Sequence, residues 1–184
     1  FKENPSFKRN LGKTIDYKAV PEDNVIHIIT GPQIEAFSNE SKNKLVDIEY
    51  KISQQSDRMG YRLNGERISP ESGADIISEP VALGSIQVPN DGNPIILLND
   101  KQTIGGYTKI ATVTQLDLNK LAQFKPGDSI QFKWSTVEEA TKTQEEYQSH
   151  FNHLITKINT SPTFNMNEMR PTAKKLAKII TEES

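Results

Sequence analysis

"PIILLNDKQTIGGYTKIATV", Pro94 to Val113, decides how this chain is read. An apolar run, Ile95 to Leu98, ends in Asn99 and Asp100. Lys101, Gln102, Thr103 and Ile104 lead to Gly105-Gly106 and Tyr107, and a second β-type run, Thr108 to Thr114, follows. A hairpin is closed by about two to five loop residues with turn chemistry. This connection is longer, and its glycines come late. Two buried strands with a special corner between them are the expectation. At such a corner, glycines either let the chain turn sharply or let another group come close to the backbone.

Working outward, "NVIHIIT" (Asn24–Thr30) reads as a strand stopped by "GPQ" (Gly31–Gln33), because the residue before a proline is pushed out of the α region. A short helix is expected from Ser38 in "SNESKNKLVD". Ile48 to Gln55 alternates apolar and polar, the pattern of a half-buried strand. "GYRL" (Gly60–Leu63) is another strand, followed by the turn signal Asn64-Gly65. Short strands are expected around Ile76 and over Gly84–Val88, and "PNDGNP" (Pro89–Pro94) should close a hairpin. Beyond the opening stretch, "LDLNKLAQF" near Leu118 reads as a short helix, "KPGD" (Lys125–Asp128) as a turn and "SIQFKW" (Ser129–Trp134) as the last strand. About eight strands at short spacing favour a closed barrel or a sandwich.

The character changes after Trp134. Ser135 to Glu138 fits a capping box. Tyr147, Phe151, Leu154, Ile155 and Ile158 mark one face of a helix. "TSPTFN" breaks it, and a basic, amphipathic helical stretch is expected at about Pro171–Ile180. The expected organisation is a linker or entry arm over residues 1–20, a barrel over 21–135 and C-terminal helices over 136–184.

Bulk composition excludes several functions. The net charge of −2 gives no electrostatic case for nucleic acid or an anionic membrane as partner. No run of about 18 apolar residues predicts a membrane span. The absence of cysteine removes thiolate zinc sites and thiol nucleophiles, and fits a cytoplasmic location. No signal peptide is visible, and a start at Phe1 without methionine suggests a piece of something longer.

No Walker-type phosphate loop or Gly-x-Ser-x-Gly elbow is present. His150 and His153 could share a helix face and bind a metal, although two solvated residues are the simpler reading; His27 in its apolar strand reads as structural. "SDRMGYRL" gathers Asp57, Arg58 and Arg62 around Gly60. An arginine fork grips carboxylate or phosphate, and the competing reading is an Asp57–Arg58 pair or a solvated turn. Gln87 sits between Ile86 and Val88, where an unpaired buried amide is costly; it serves a ligand or closes a core network. Asn99, Asp100 and Gln102, with Gly105, Gly106 and Tyr107, suit recognition of an amide or imide. Phosphate could also lie on the glycine amides with Lys109 nearby. Arg58, Arg62 and Gln87 with these six form the candidate substrate- or phosphate-binding set; no catalytic group and no metal ligand is assigned.

"SDRMGYRL", "GSIQVPNDGNPIILLNDKQTIGGYTKIATV", "DLNKLAQFKPGDSIQF" and, upstream, "ITGPQIEAF" (Ile29–Phe37) together resemble the C-terminal part of one family, the C subunit of bacterial 5-oxoprolinase. That family is also called allophanate hydrolase subunit 2 or urea amidolyase-related, and it includes an antagonist of a sporulation-kinase inhibitor. The likeness runs from about Val25 to Ala140, with one departure at Ile104, where the family usually has threonine. It implies a mainly β fold, a cyclophilin-like closed β-barrel with short helices and a C-terminal helical extension. It also implies one part of an ATP-dependent hydrolase complex. The B and C subunits would phosphorylate the lactam oxygen of 5-oxoproline, and the A subunit would open the ring to glutamate. The implied partners are the B subunit (the kinase-inhibitor homologue), the A subunit, plus a small amide substrate, with ATP and magnesium bound by the assembled complex. The alternative is a carboxyltransferase acting on urea or a related amide. Biotin would then be carried by a partner, since no Met-Lys pair occurs here. A regulatory protein that sequesters the kinase inhibitor is the third reading.

Overall fold

The structure, a computed structural model, describes residues 23–160. They fall into two units, residues 23–146 and residues 147–160 at the end of the last helix. The expected entry arm over 1–20 and the helical stretch near Pro171–Ile180 lie outside the described residues. In chain order come β1 (Val25–Thr30), a single 3-10 turn (Ile34–Ala36), α1 (Asn39–Asp47), β2 (Glu49–Ile52), β3 (Gly60–Asn64) and β4 (Asp75–Pro80). Then follow β5 (Ser85–Val88), β6 (Ile95–Leu97), β7 (Ile104–Val113), α2 (Gln115–Leu121), β8 (Ser129–Trp134) and α3 (Val137–Thr160). No helix among the described residues is long and apolar enough to cross a membrane.

Period-two alternation builds the barrel wall. Ile26 and Ile28 of β1 are fully buried while His27 between them is half-exposed, and Ile130 and Phe132 of β8 repeat the pattern. The strands run in the order β1-β8-β2-β3-β6-β5-β7, and β7 returns to β1 with Ile28 opposite Val113. Seven strands therefore close the barrel; the fold is mainly β, as expected. All barrel pairs are antiparallel except β1 with β8. Inside, Tyr50, Ile52, Leu63, Ile86, Ile96 and Ile110 meet Leu45 from α1 and Leu121 from α2. Each such side chain contributes about 1.5–3 kcal/mol when fully buried. The rings of Tyr50 and Phe132 pack at 5.7 Å in a tilted arrangement, and burial pushes the Tyr50 hydroxyl above its ordinary pKa.

Local signals place the connections. Ser38 caps α1 by accepting the Ser41 N–H at 3.1 Å. The hairpin between β5 and β6 turns at Gly92, whose φ of +79° favours glycine. One expectation is corrected here. The capping box belongs to Thr136 and Glu139, not to Ser135 and Glu138. Glu139 N–H donates to Thr136 Oγ1 and Thr136 N–H to Glu139 Oε2, both at 3.1 Å. Ser135 is held as an extension of β8 by donating its N–H to the Ile28 carbonyl at 2.9 Å, so the helix starts one residue later. The turn signal Asn64-Gly65 stands where β3 ends and the chain bends at Gly65 and Glu66. A Cβ on Gly65 would lie 2.6 Å from the Tyr50 ring, so that glycine is required by packing.

The corner expected at Gly105-Gly106 is a further correction. Both glycines lie inside β7, and neither has a positive φ. The strand starts at Ile104 rather than Thr108 and changes partners along its length. Its first part pairs with β4, Tyr107 opposite Asp75 and Gly105 opposite Glu79. Its second part lies between β5 and β1. β4 is thus an edge strand fastened to one end of β7. Register shifts occur on both partners, between Asp75 and Glu79 and between Ile86 and Gln87. Such shifts mark a β-bulge or irregular pairing.

Candidate functional site

The expected site residues separate into three places. The first is a rim made by two loops. In the loop before β3, Asp57 Oδ1 accepts the N–H groups of Met59 (2.8 Å) and Gly60 (3.2 Å), forming a local turn. The loop after β6 is tied to it by Leu98 N–H on the Met59 carbonyl (2.9 Å) and Asp100 N–H on the Arg58 carbonyl (3.2 Å). Across this junction Arg58 Nε lies 3.2 Å from Asp100 Oδ2. The arginine's ion partner is therefore Asp100, not its neighbour Asp57. The Arg58 side chain is 91% exposed and Asp100 49%, so the pair is hydrated and open to an incoming anion. Asn99 and Gln102 are both exposed on the same loop.

Arg62 goes elsewhere. It sits exposed on β3 opposite Ile95, and its charge, with that of Arg67, helps hold the Asp91 carboxyl below its usual value. The larger cause of that shift is the Asn93 backbone N–H on Asp91. The structure does not bring Arg62 to the Arg58–Asp100 rim.

The third place is the junction of β4, β5 and β7. Gln87 is buried and points its Nε2 at the Tyr107 carbonyl, 3.5 Å away. It packs on the bare backbone of Gly105, where a Cβ would lie 2.7 Å from Gln87 Nε2 and 3.0 Å from Val81 Cγ2. Gly106 faces the stretch of β4 where the register shifts, with Ile76 O at 3.3 Å and Ser78 Oγ at 3.4 Å from a would-be Cβ. The glycine pair therefore serves close approach by protein groups. Tyr107 remains exposed.

Beside Gln87 lies a buried network whose sequence signal is slight. Lys109, 3% exposed, donates Nζ to Glu79 Oε1 on β4. Gln33 joins them: its Nε2 donates to Glu79 Oε1 at 2.6 Å, while its Oε1 accepts the Lys109 N–H at 3.1 Å. Its own N–H reaches the Lys109 carbonyl at 3.2 Å. The Lys109 contact, then that of Gln33, holds the Glu79 carboxyl below its ordinary pKa. Glu79 remains 39% exposed, so the network opens to solvent along the edge strand. The signal is a lysine inside the apolar run "YTKIATV"; its partners lie too far away along the chain to be named from it.

A second buried lysine, Lys120 of α2, donates to Asp23 and to the Val25 carbonyl. Asp117 Oδ2 accepts from the His27 N–H (3.1 Å) and Thr114 Oγ1 (2.7 Å) and lies 3.0 Å from His27 Nδ1. This cluster fastens α2 to β1, and His27 is structural in it. Among the described residues no group of three or more His, Asp or Glu side chains could hold a metal ion.

Residues 2–134 match the sequence profile of a family described as carboxyltransferase domain, subdomain A and B. The chain is 35% identical over 151 residues to the 5-oxoprolinase C subunit of Escherichia coli, covering 82% of this chain and 49% of that one. It is 34% identical over 144 residues to the 5-oxoprolinase C subunit of Haemophilus influenzae, covering 78% and 47%. The chain thus spans about half the length of the curated relatives it matches. The fold is similar to that of the Kluyveromyces lactis urea carboxylase, with a TM-score of 0.63 and 23% identity over 80% of this chain and 14% of that one.

Proposed function

The chain belongs to the carboxyltransferase domain family, and on that premise we propose that it works as the C subunit of a 5-oxoprolinase. In this role it joins the A and B subunits to convert 5-oxoproline to glutamate with ATP. The observation that carries the reading is the 35% identity to the Escherichia coli protein over 82% of this chain. The chemistry of the rim supports it. A hydrated arginine paired to a half-exposed carboxylate offers a guanidinium to the substrate carboxylate or a phosphoryl oxygen, and such charge-assisted contacts are the strong ones. Asn99 and Gln102 on the same loop suit the lactam N–H and carbonyl.

ATP with magnesium belongs to the assembled complex in this reading. Among the described residues no carboxylate cluster fits a magnesium ion, and the chain's own contribution is to bind and orient. A site walled by more than one chain gains its rate from fixed mutual geometry. The test is glutamate formation from 5-oxoproline, ATP and magnesium by this chain mixed with the A and B subunits, against each omission. Product is expected only from the full set; product from this chain alone overturns the shared site.

The family's description favours a second reading, carboxyl transfer from carboxybiotin on a partner to urea or a related amide. Urea carboxylation with a supplied biotin carrier, and no glutamate with the A and B subunits, selects it. Tight binding to the B subunit with neither activity selects the regulatory role.

A further inference from the structure

The Glu79–Lys109 pair is a costly way to fasten an edge strand. Burying an ammonium is expensive even when it is paired, and an apolar pair would hold β4 to β7 equally well. Lys109 is nevertheless 3% exposed, while its partner Glu79 is 39% exposed. Both donors to the carboxylate, Lys109 Nζ and Gln33 Nε2, reach the same oxygen, Oε1. Among the described residues no donor is placed on Oε2. One oxygen of the carboxylate is thus anchored and the other is left to solvent.

Strand register decides what surrounds that second oxygen. Glu79 lies opposite Gly105, and Lys109 opposite Gln87. Side chains two apart share a face of a strand, so Tyr107 stands on the same side of β7 as Gly105 and Lys109. Tyr107 is exposed, and as a diagonal neighbour of Glu79 its ring is within reach of the carboxylate. Gly105 has no side chain between them, and the Gln87 amide packed on its backbone makes the floor. All of these residues belong to one unit, residues 23–146.

We propose that Glu79 Oε2 and the Tyr107 ring form the amide-recognition point of this chain, where Oε2 accepts the N–H of a lactam and the ring covers the lactam face. A carboxylate is a stronger acceptor than a neutral side-chain amide, which gives the N–H to Glu79 rather than to Asn99 or Gln102 on the exposed loop. The buried lysine then has a purpose beyond packing. It offsets the negative charge that Glu79 would otherwise turn on the carboxylate of 5-oxoproline. The inference rests on the reading of the substrate as that cyclic amide, and it places the N–H.

Ligand-observed NMR on the full chain tests this with two probes, γ-butyrolactam and its N-methyl derivative, which keeps the ring and the carbonyl and lacks the N–H. The chain is expected to bind the first roughly tenfold more tightly than the second, the factor a charge-assisted hydrogen bond supplies. Glu79→Leu combined with Lys109→Met removes the acceptor without leaving a buried charge, and replacing a buried ion pair by apolar side chains is often neutral for stability. The double variant should keep the melting temperature and lose the preference. Tyr107→Leu, at an exposed position, should weaken binding of both probes. Equal binding of the two probes, binding of neither, or a preference that survives in the double variant overturns the proposal. Unchanged binding in Tyr107→Leu overturns the part given to the ring. Glutamate formed equally well with the A and B subunits by the double variant and the parent keeps the 5-oxoprolinase reading and overturns this site. The N–H preference without glutamate from the parent complex keeps the site and overturns that reading.

Discussion

Arg58 and Asp100 meet across two loops, Nε to Oδ2 at 3.2 Å, and the Asp100 N–H donates to the Arg58 carbonyl at 3.2 Å. The rim is therefore joined twice, once through backbone and once through charge. The backbone bond holds the loops together whatever the side chains do, which leaves the guanidinium available.

That arrangement separates binding from stability. An exposed ion pair contributes about 0–1 kcal/mol, so Arg58→Ala should leave the melting temperature within a few degrees of the parent. In the assembled complex, loss of a charge-assisted contact of about 1.5–3 kcal/mol should lower kcat/KM roughly ten- to hundredfold. A sharp fall in melting temperature would make Arg58 structural.

Gly105 and Gly106 should respond differently to the same substitution. Gly105→Ala drives a Cβ to 2.7 Å from Gln87 Nε2 and 3.0 Å from Val81 Cγ2. Overpacking of this kind costs about 1–3 kcal/mol. Gly106→Ala meets nothing closer than 3.3 Å and has no left-handed φ to lose, so its effect should be smaller. Denaturant midpoints of the two variants read the difference; equal losses would contradict the packing.

The Glu79–Lys109 pair should show an asymmetry. Glu79→Gln leaves the buried Lys109 ammonium without its counter-charge, and an uncompensated buried charge is the costly case. Lys109→Met removes that charge and leaves a carboxylate that is 39% exposed and can hydrate. Glu79→Gln is therefore expected to melt at the lower temperature of the two. The reverse order in thermal melts would show that Lys109 is not closed in.

Acid should weaken the same junction. The contacts from Lys109 and Gln33 depress the Glu79 carboxyl below its ordinary 4.5. A depressed carboxylate stabilises the fold above the unfolded value, and that contribution fades as pH falls through the folded one. The parent should lose melting temperature below about pH 4.5 more steeply than Glu79→Gln. Parallel profiles for the two chains would remove Glu79 as a source of the acid response.

Much of the architecture was legible locally. Ile26 and Ile28, with Ile130 and Phe132, show in their alternation which face of β1 and β8 is buried. Ser38 marks the start of α1, and "PNDGNP" marks the β5–β6 turn, because caps and turns depend on neighbours a few residues apart. The polar residues around Arg58 and Asp100 were visible as chemistry, and α3 was visible as a helix from its apolar spacing. Tertiary structure alone decided the rest. β1 pairs in parallel with β8 and antiparallel with β7, a closure between distant segments that no local pattern encodes. Arg58 met Asp100 instead of Asp57, and Arg62 fell beside Asp91, because strand register rather than spacing sets which charges face each other. Gln33 and Glu79 lie 46 positions apart, Glu79 and Lys109 30, and Gln33 and Lys109 76, and the three converge only where β4 leaves the barrel wall. The glycine pair could be read from sequence as a need for bare backbone, but whether for a turn or for a close neighbour depends on what packs there, and only the folded barrel brings Gln87 and β4 against it.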